Sequence, residues 1–73
     1  MATTIRTPED WKILLAAAEK NDASAQLEVA MLYESGIEND GNKLVEINET
    51  LAYYWIKKAY ENGNTDALVH YAD

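Results

Sequence analysis

Stretches of helical periodicity, opened by capping residues and closed by glycine or asparagine, leave this chain little choice of fold. Thr7-Pro8-Glu9-Asp10 places a hydroxyl at an N-cap, proline at the first helical position and two carboxylates in the first turn, where the positive end of the helix dipole favours them. Trp11, Leu14, Leu15 and Ala18 follow at three- and four-residue intervals, with Ile13 and Ala17 widening the stripe; the spacing predicts a helix over 8–20. Asn21-Asp22 breaks it, and Asp22 caps a second helix, 23–35, whose apolar face is Ala25, Val29, Leu32 and Tyr33. Gly36 ends that helix by turning left-handed without a steric cost. Asn48 caps a third helix, 49–62, with Leu51, Ala52, Trp55, Ala59 and Tyr60 facing inward, and Gly63 closes it. Asn64 opens a fourth, 65–72.

Helices joined by so few residues must lie antiparallel. Between the second and third, residues 36–48 read as a long loop around the turn signal Asn39-Asp40-Gly41-Asn42. Leu44, Val45 and Ile47 should fold it back onto the helices. With no competing strand pattern, the expected fold is all-α: a tail, 1–7, followed by one domain of helical hairpins, 8–73.

Seventy-three residues bury only about 60% of the surface their unfolded chain exposes. The absence of cysteine excludes disulfides, thiolate metal sites and cysteine catalysis as compensation. Six basic residues against 13 acidic ones give a net charge of −7, which repels phosphate backbones and anionic lipid, so neither nucleic acid nor a membrane is an expected partner. The charge is concentrated. Residues 22–49 carry seven carboxylates against Lys43 alone, a surface that attracts basic partners as well as water. The first ten residues contain no apolar run of the kind a signal peptide needs. The longest apolar stretch, Ile13 to Ala18, is far short of the ~20 residues that span a bilayer. A cytoplasmic location is the corresponding expectation.

The chain also repeats itself. A shift of 42 residues lays Ile13 on Trp55, Ala17 on Ala59, Glu19 on Glu61, Asp22 on Asn64, Ala25 on Ala67 and Ala30 on Ala72. Each copy contains a helix, a tight turn with a capping Asn or Asp, and an alanine three residues later, where a small side chain lets two helix backbones approach. The pattern suits helix–turn–helix units stacked in series, an α-solenoid.

On these residues the chain resembles the Sel1-like repeat family, relatives of the tetratricopeptide repeats. Asp22-Ala23-Ser24-Ala25-Gln26, Val29-Ala30 and Leu32-Tyr33-Glu34-Ser35-Gly36 are similar to the first helix of such a repeat. Ala52, Trp55, Lys57-Lys58-Ala59 and Gly63 are similar to the second, and Asn64-Thr65-Asp66-Ala67 restarts the cycle. The resemblance spans residues 8–73, with a longer loop between Gly36 and Asn48 than the family usually carries. It implies an adaptor or scaffold that holds another protein on a curved surface, and no catalytic activity.

The residues themselves offer little chemistry. Asp66 and His70, four apart on one helix, give two metal ligands where three or four are needed; a surface histidine is the simpler reading. Glu38, Asp40 and Glu46 fail as a calcium loop, because placing Gly41 sixth puts Gly36 first and Ile47 twelfth. Ser24 and Ser35 have no histidine in matching spacing and no glycine-rich elbow. No cofactor is expected, and an enzyme is not.

Binding is therefore the expected business of the chain. Leu27 and Met31, with Val69 one repeat later, should floor a concave groove. Glu28, Glu34 and His70 should stand at its edges, with Glu38 and Asp40 on the long loop nearby. An apolar floor with an acidic rim suits a protein segment carrying apolar anchors and Lys or Arg flanks. The alternative is a bacterial immunity or antitoxin-type protein capping a basic toxin surface. Exposed solenoid ends further imply self-association, most simply an end-to-end or swapped dimer.

Overall fold

The structure, a computed structural model, describes residue 5 and residues 7–39 and 41–68. It is mostly helical, with a small pair of antiparallel strands: α1 (Pro8–Glu19), α2 (Ala23–Ser35), β1 (Ile37–Asn39), β2 (Asn42–Val45) and α3 (Glu49–Glu61). The three helices begin at the residues their caps dictate. Thr7 Oγ1 accepts from the Asp10 N–H at 3.3 Å while the Thr7 N–H donates to Asp10 Oδ2, a reciprocal capping box. Asp22 Oδ1 accepts from the Ala25 N–H and Asn48 Oδ1 from the Leu51 N–H, each satisfying a donor that the first helical turn would otherwise leave open. Of the fourth predicted helix only its first residues are described: Thr65 and Asp66 form a turn and Ala67 and Leu68 are helical. The rest of 65–72 lies outside the described residues.

α2 is the central element, packed against both α1 and α3. The core joins Leu14 and Ala18 of α1, Ala25, Val29 and Ala30 of α2, Trp55, Ile56 and Ala59 of α3, and Ala67. Its many alanines let the helices approach closely, while Val29 and the larger side chains supply the burial, about 1.5–3 kcal/mol for each that is fully covered. Tyr33 packs on this core and meets Trp11 edge to face, ring centroids 5.3 Å apart. Ile5, ahead of α1, also packs against it.

The turns after α1 and after α3 are built alike, one 42-residue period apart. Asn21 and Gly63 both have positive φ, 69° and 96°. In the first turn the Asn21 N–H donates to the Ala18 carbonyl and the Asp22 N–H to the Ala17 carbonyl. In the second the Gly63 N–H donates to the Tyr60 carbonyl and the Asn64 N–H to the Ala59 carbonyl. These bonds take up carbonyls that a helix end leaves open, and the left-handed residue makes the reversal.

Two expectations need correction. Residues 36–48 are not an irregular loop: β1 and β2 pair antiparallel, Ile37 with Val45, Glu38 with Lys43 and Asn39 with Asn42, with a bulge between the first two pairs. Two-residue loops containing Asp-Gly favour such a hairpin, and Gly41 there has a φ of 78°. The extra residue at the bulge is Leu44, half-buried beside the buried Val45. Gly36 connects α2 to the hairpin at φ 73°, and a Cβ there would lie 3.1 Å from Ile47 Cγ1 and 3.2 Å from the Val45 carbonyl oxygen. Secondly, Ile13, Leu51 and Tyr60, all expected to face inward, are exposed. They lie at the margins of their stripes, where no neighbouring helix among the described residues covers them.

Candidate interaction surface

One buried amide organises the surface of the helical layer. Gln26 is fully buried. Its Nε2 donates to the Ala18 carbonyl at 2.9 Å, and its Oε1 accepts from Asn62 Nδ2 at 2.8 Å. Asn62 is the C-cap of α3, so a single side chain on α2 ties the end of α1 to the end of α3. Asn64 adds a second tie, donating from Nδ2 to the Ala23 carbonyl. These bonds fix the inward face of α2, and helical periodicity then determines what it turns outward.

That outward face carries four of the residues singled out from the sequence. Leu27 is half-buried and packs against the core, Glu28 is half-buried, and Met31 and Glu34 are exposed, Met31 at 44%. Leu27 and Met31 stand one turn apart, as do Glu28 and Met31, so apolar and acidic side chains share one side of the helix. Glu38 is exposed on β1, which follows α2 directly, and its strand partner is Lys43. Asp40, Val69 and His70 lie outside the described residues. The structure thus brings Leu27, Glu28, Met31 and Glu34 together, but half of Leu27 serves packing, leaving Met31 as the main apolar element of the face.

A second concave feature lies between α1 and α3. This groove of about 400 Å³ is bounded by Leu15 and Glu19 on one side and by Leu51, Tyr54, Trp55 and Lys58 on the other. Tyr54 is exposed, stands edge to face against Trp55 at 5.1 Å, and has Lys58 Nζ 5.5 Å from its ring centroid, a cation–π distance. The signal for it was present in the spacing of Leu51, Tyr54 and Lys58, three and four residues apart. Assigning Leu51 to the inner stripe concealed it. A smaller opening of about 330 Å³ at the hairpin root is lined by Gly36, Ile37, Val45 and Ile47 with Glu38 and Lys43.

Among the described residues no group of three or more His, Asp or Glu side chains is placed to hold a metal ion, and no helix is long and apolar enough to cross a membrane. No family model matches the chain, and no curated protein or solved structure matches it either.

Proposed function

We propose that this chain is a protein-binding module built as a Sel1-like helical repeat, with α2 as its working helix. The observation that carries the reading is the composition of the outward face of α2: exposed Met31 beside Leu27, flanked by Glu28 and Glu34. This face lies within a stretch, 22–49, where seven carboxylates meet one lysine. The matching hydrogen bonds of the two turns, 42 residues apart, support the repeat. The partner that fits is a protein segment with apolar anchors and Lys or Arg flanks. The apolar contacts set how slowly it leaves, and the acidic rim sets how fast it arrives.

The test uses labelled amphipathic peptides with Leu anchors and either Lys or Glu flanks, followed by fluorescence anisotropy. Lys-flanked peptides should bind, with affinity falling as salt screens the rim. Met31→Ala should cost about 1–2 kcal/mol, a factor of roughly 5–30. Equal binding of both peptide sets would sink the charge argument. A Met31→Ala variant that binds normally beside a Tyr54→Ala variant that does not would move the site to the α1–α3 groove. The acidic stretch also favours a second reading, an immunity or antitoxin-type protein capping a basic toxin. In that case a folded basic protein should bind where extended peptides fail, and Glu38→Lys with Asp40→Lys should slow association most at low salt.

A further inference from the structure

Of the chain's asparagines, only Asn62 precedes a glycine. A backbone nitrogen can attack the side-chain amide of the residue before it, and glycine, with no side chain to obstruct the approach, permits this most readily. The turn itself does not demand glycine. Asn21 makes the equivalent reversal one period earlier at φ 69°, and the residue before it there is Lys20, whose side chain has no carbonyl to attack. In the folded turn the reacting groups are held apart. A five-membered ring closes only when the Gly63 nitrogen eclipses the Asn62 Cβ, and at ψ 14° it nearly eclipses the Asn62 backbone nitrogen instead. The Gly63 N–H is engaged by the Tyr60 carbonyl at 3.1 Å, and Asn62 Nδ2 by Gln26 Oε1 at 2.8 Å. Asn62 and Gly63 are both exposed, so water reaches the site.

We propose that Asn62-Gly63 is a self-modification site, gated by opening of the last turn of α3, whose product breaks the tie between Gln26 and α3. Once the turn opens, the Gly63 nitrogen loses its proton to solvent and bonds to the Asn62 Cγ. The Cγ–Nδ2 bond breaks, and Nδ2 leaves as ammonia. Water then opens the cyclic imide by adding to one of its two carbonyl carbons, breaking that carbon's bond to the Gly63 nitrogen. Addition at the side-chain carbon gives aspartate, and addition at the backbone carbon gives isoaspartate. One water is consumed and one ammonia released, with no change of oxidation state. An ionised aspartate only accepts, so it cannot donate to Gln26 Oε1, and it sets a negative charge at the negative end of α3. If Gln26 turns its Nε2 toward that carboxylate, its Oε1 meets the Ala18 carbonyl, so neither orientation of the buried amide satisfies both helices. Isoaspartate lengthens the backbone by one carbon ahead of Asn64, whose N–H and Nδ2 bond the Ala59 and Ala23 carbonyls. Either product marks the chain irreversibly and weakens the turn that gates the reaction. The site lies apart from the outward face of α2 and does not depend on what binds there.

Incubation of the full chain at body temperature in mildly alkaline buffer, followed by intact mass and peptide mapping, tests this. Over weeks the chain should gain about one dalton, on the peptide holding Asn62 and partly as isoaspartate. Isomerisation at Asp40-Gly41 adds no mass and is not confused with it. In guanidinium chloride the same gain should be at least tenfold faster. Gln26→Leu, which frees the Asn62 amide, should accelerate it about fivefold in the folded chain. Asn48→Ala, which loosens the other end of α3, should stay within about twofold of wild type. Gly63→Asn should keep the turn and slow the gain at least tenfold. Asn62→Asp, the product itself, should unfold at lower denaturant than Asn62→Ala, because it adds repulsion to a lost hydrogen bond. A wild type that keeps its mass for that time, or a gain confined to another residue, would overturn the proposal. So would equal rates folded and unfolded, equal acceleration by Gln26→Leu and Asn48→Ala, or an Asn62→Asp variant no less stable than Asn62→Ala.

Discussion

Replacing Gln26 with alanine should destabilise the fold more than any other single polar substitution in the helices. Its amide is fully buried and makes two hydrogen bonds of 2.9 and 2.8 Å to different helix ends. Each neutral hydrogen bond contributes about 1 kcal/mol net. Removing a buried methylene and leaving a cavity adds roughly another 1 kcal/mol. The sum is about 3 kcal/mol, against a total of about 4–11 kcal/mol for a domain of this length, and corresponds to a fall in Tm of roughly 12–24 °C. Gln26→Leu separates volume from hydrogen bonding. It fills the space, Asn62 is exposed and can turn its amide to water, and the Ala18 carbonyl still accepts from the Asn21 N–H at 3.1 Å. Its cost should be only about 1 kcal/mol. Asn62→Ala, which strands the buried Gln26 Oε1, should cost about 1–2 kcal/mol. Urea unfolding followed by circular dichroism measures all three. If Gln26→Ala shifts the midpoint by no more than a surface substitution does, the buried amide does not hold the helices together and the reasoning fails.

Further outcomes follow from local geometry. Gly36→Ala should destabilise by about 2–3 kcal/mol, since it adds contacts at 3.1 and 3.2 Å to an unfavourable positive φ. Gly41→Ala, with open space around it, should cost only about 1 kcal/mol; equal losses in thermal unfolding would refute the steric part. Gly63→Asn should be tolerated within about 1 kcal/mol, because Asn21 already makes the equivalent turn at φ 69°. Asp22→Ala and Asn48→Ala should each cost about 1 kcal/mol through the lost cap, and unchanged helix stability in either would refute the capping role. Met31→Ala should leave stability within about 0.5 kcal/mol, as an exposed side chain outside the core, so any loss of peptide binding reads the contact itself.

Much of this fold is local and therefore legible in the sequence. Helix starts follow from Thr7, Asp22 and Asn48 because a cap acts on backbone groups two or three residues away. Helix ends follow from Gly36 and the turns at Asn21 and Gly63 because left-handed backbone is a property of single residues. Leu14, Ala18, Val29 and Trp55 lie on the buried faces that three- and four-residue spacing assigned them. The hairpin was not legible: three- and four-residue strands show too little alternation to register, and the bulge at Leu44 disrupts what there is.

The candidate surface divides in the same way. Leu27, Glu28, Met31 and Glu34 share the outward side of α2 because the period of one helix places them there, and no distant contact is needed to know it. The exposure of Ile13 and Leu51, the groove between α1 and α3, and the burial of Gln26 depend on where other helices sit. Gln26 is absent from the apolar face that spacing assigns to 23–35, and its hydrogen-bond partner Asn62 is 36 positions away. Only the packing of α1 and α3 against α2 removes water from that amide and leaves protein groups to satisfy it. Sequence determined the helices and the faces they can bury because those obey short-range rules. Tertiary structure decided which parts of each face are covered, because solvent exclusion depends on neighbours that the local chain does not specify.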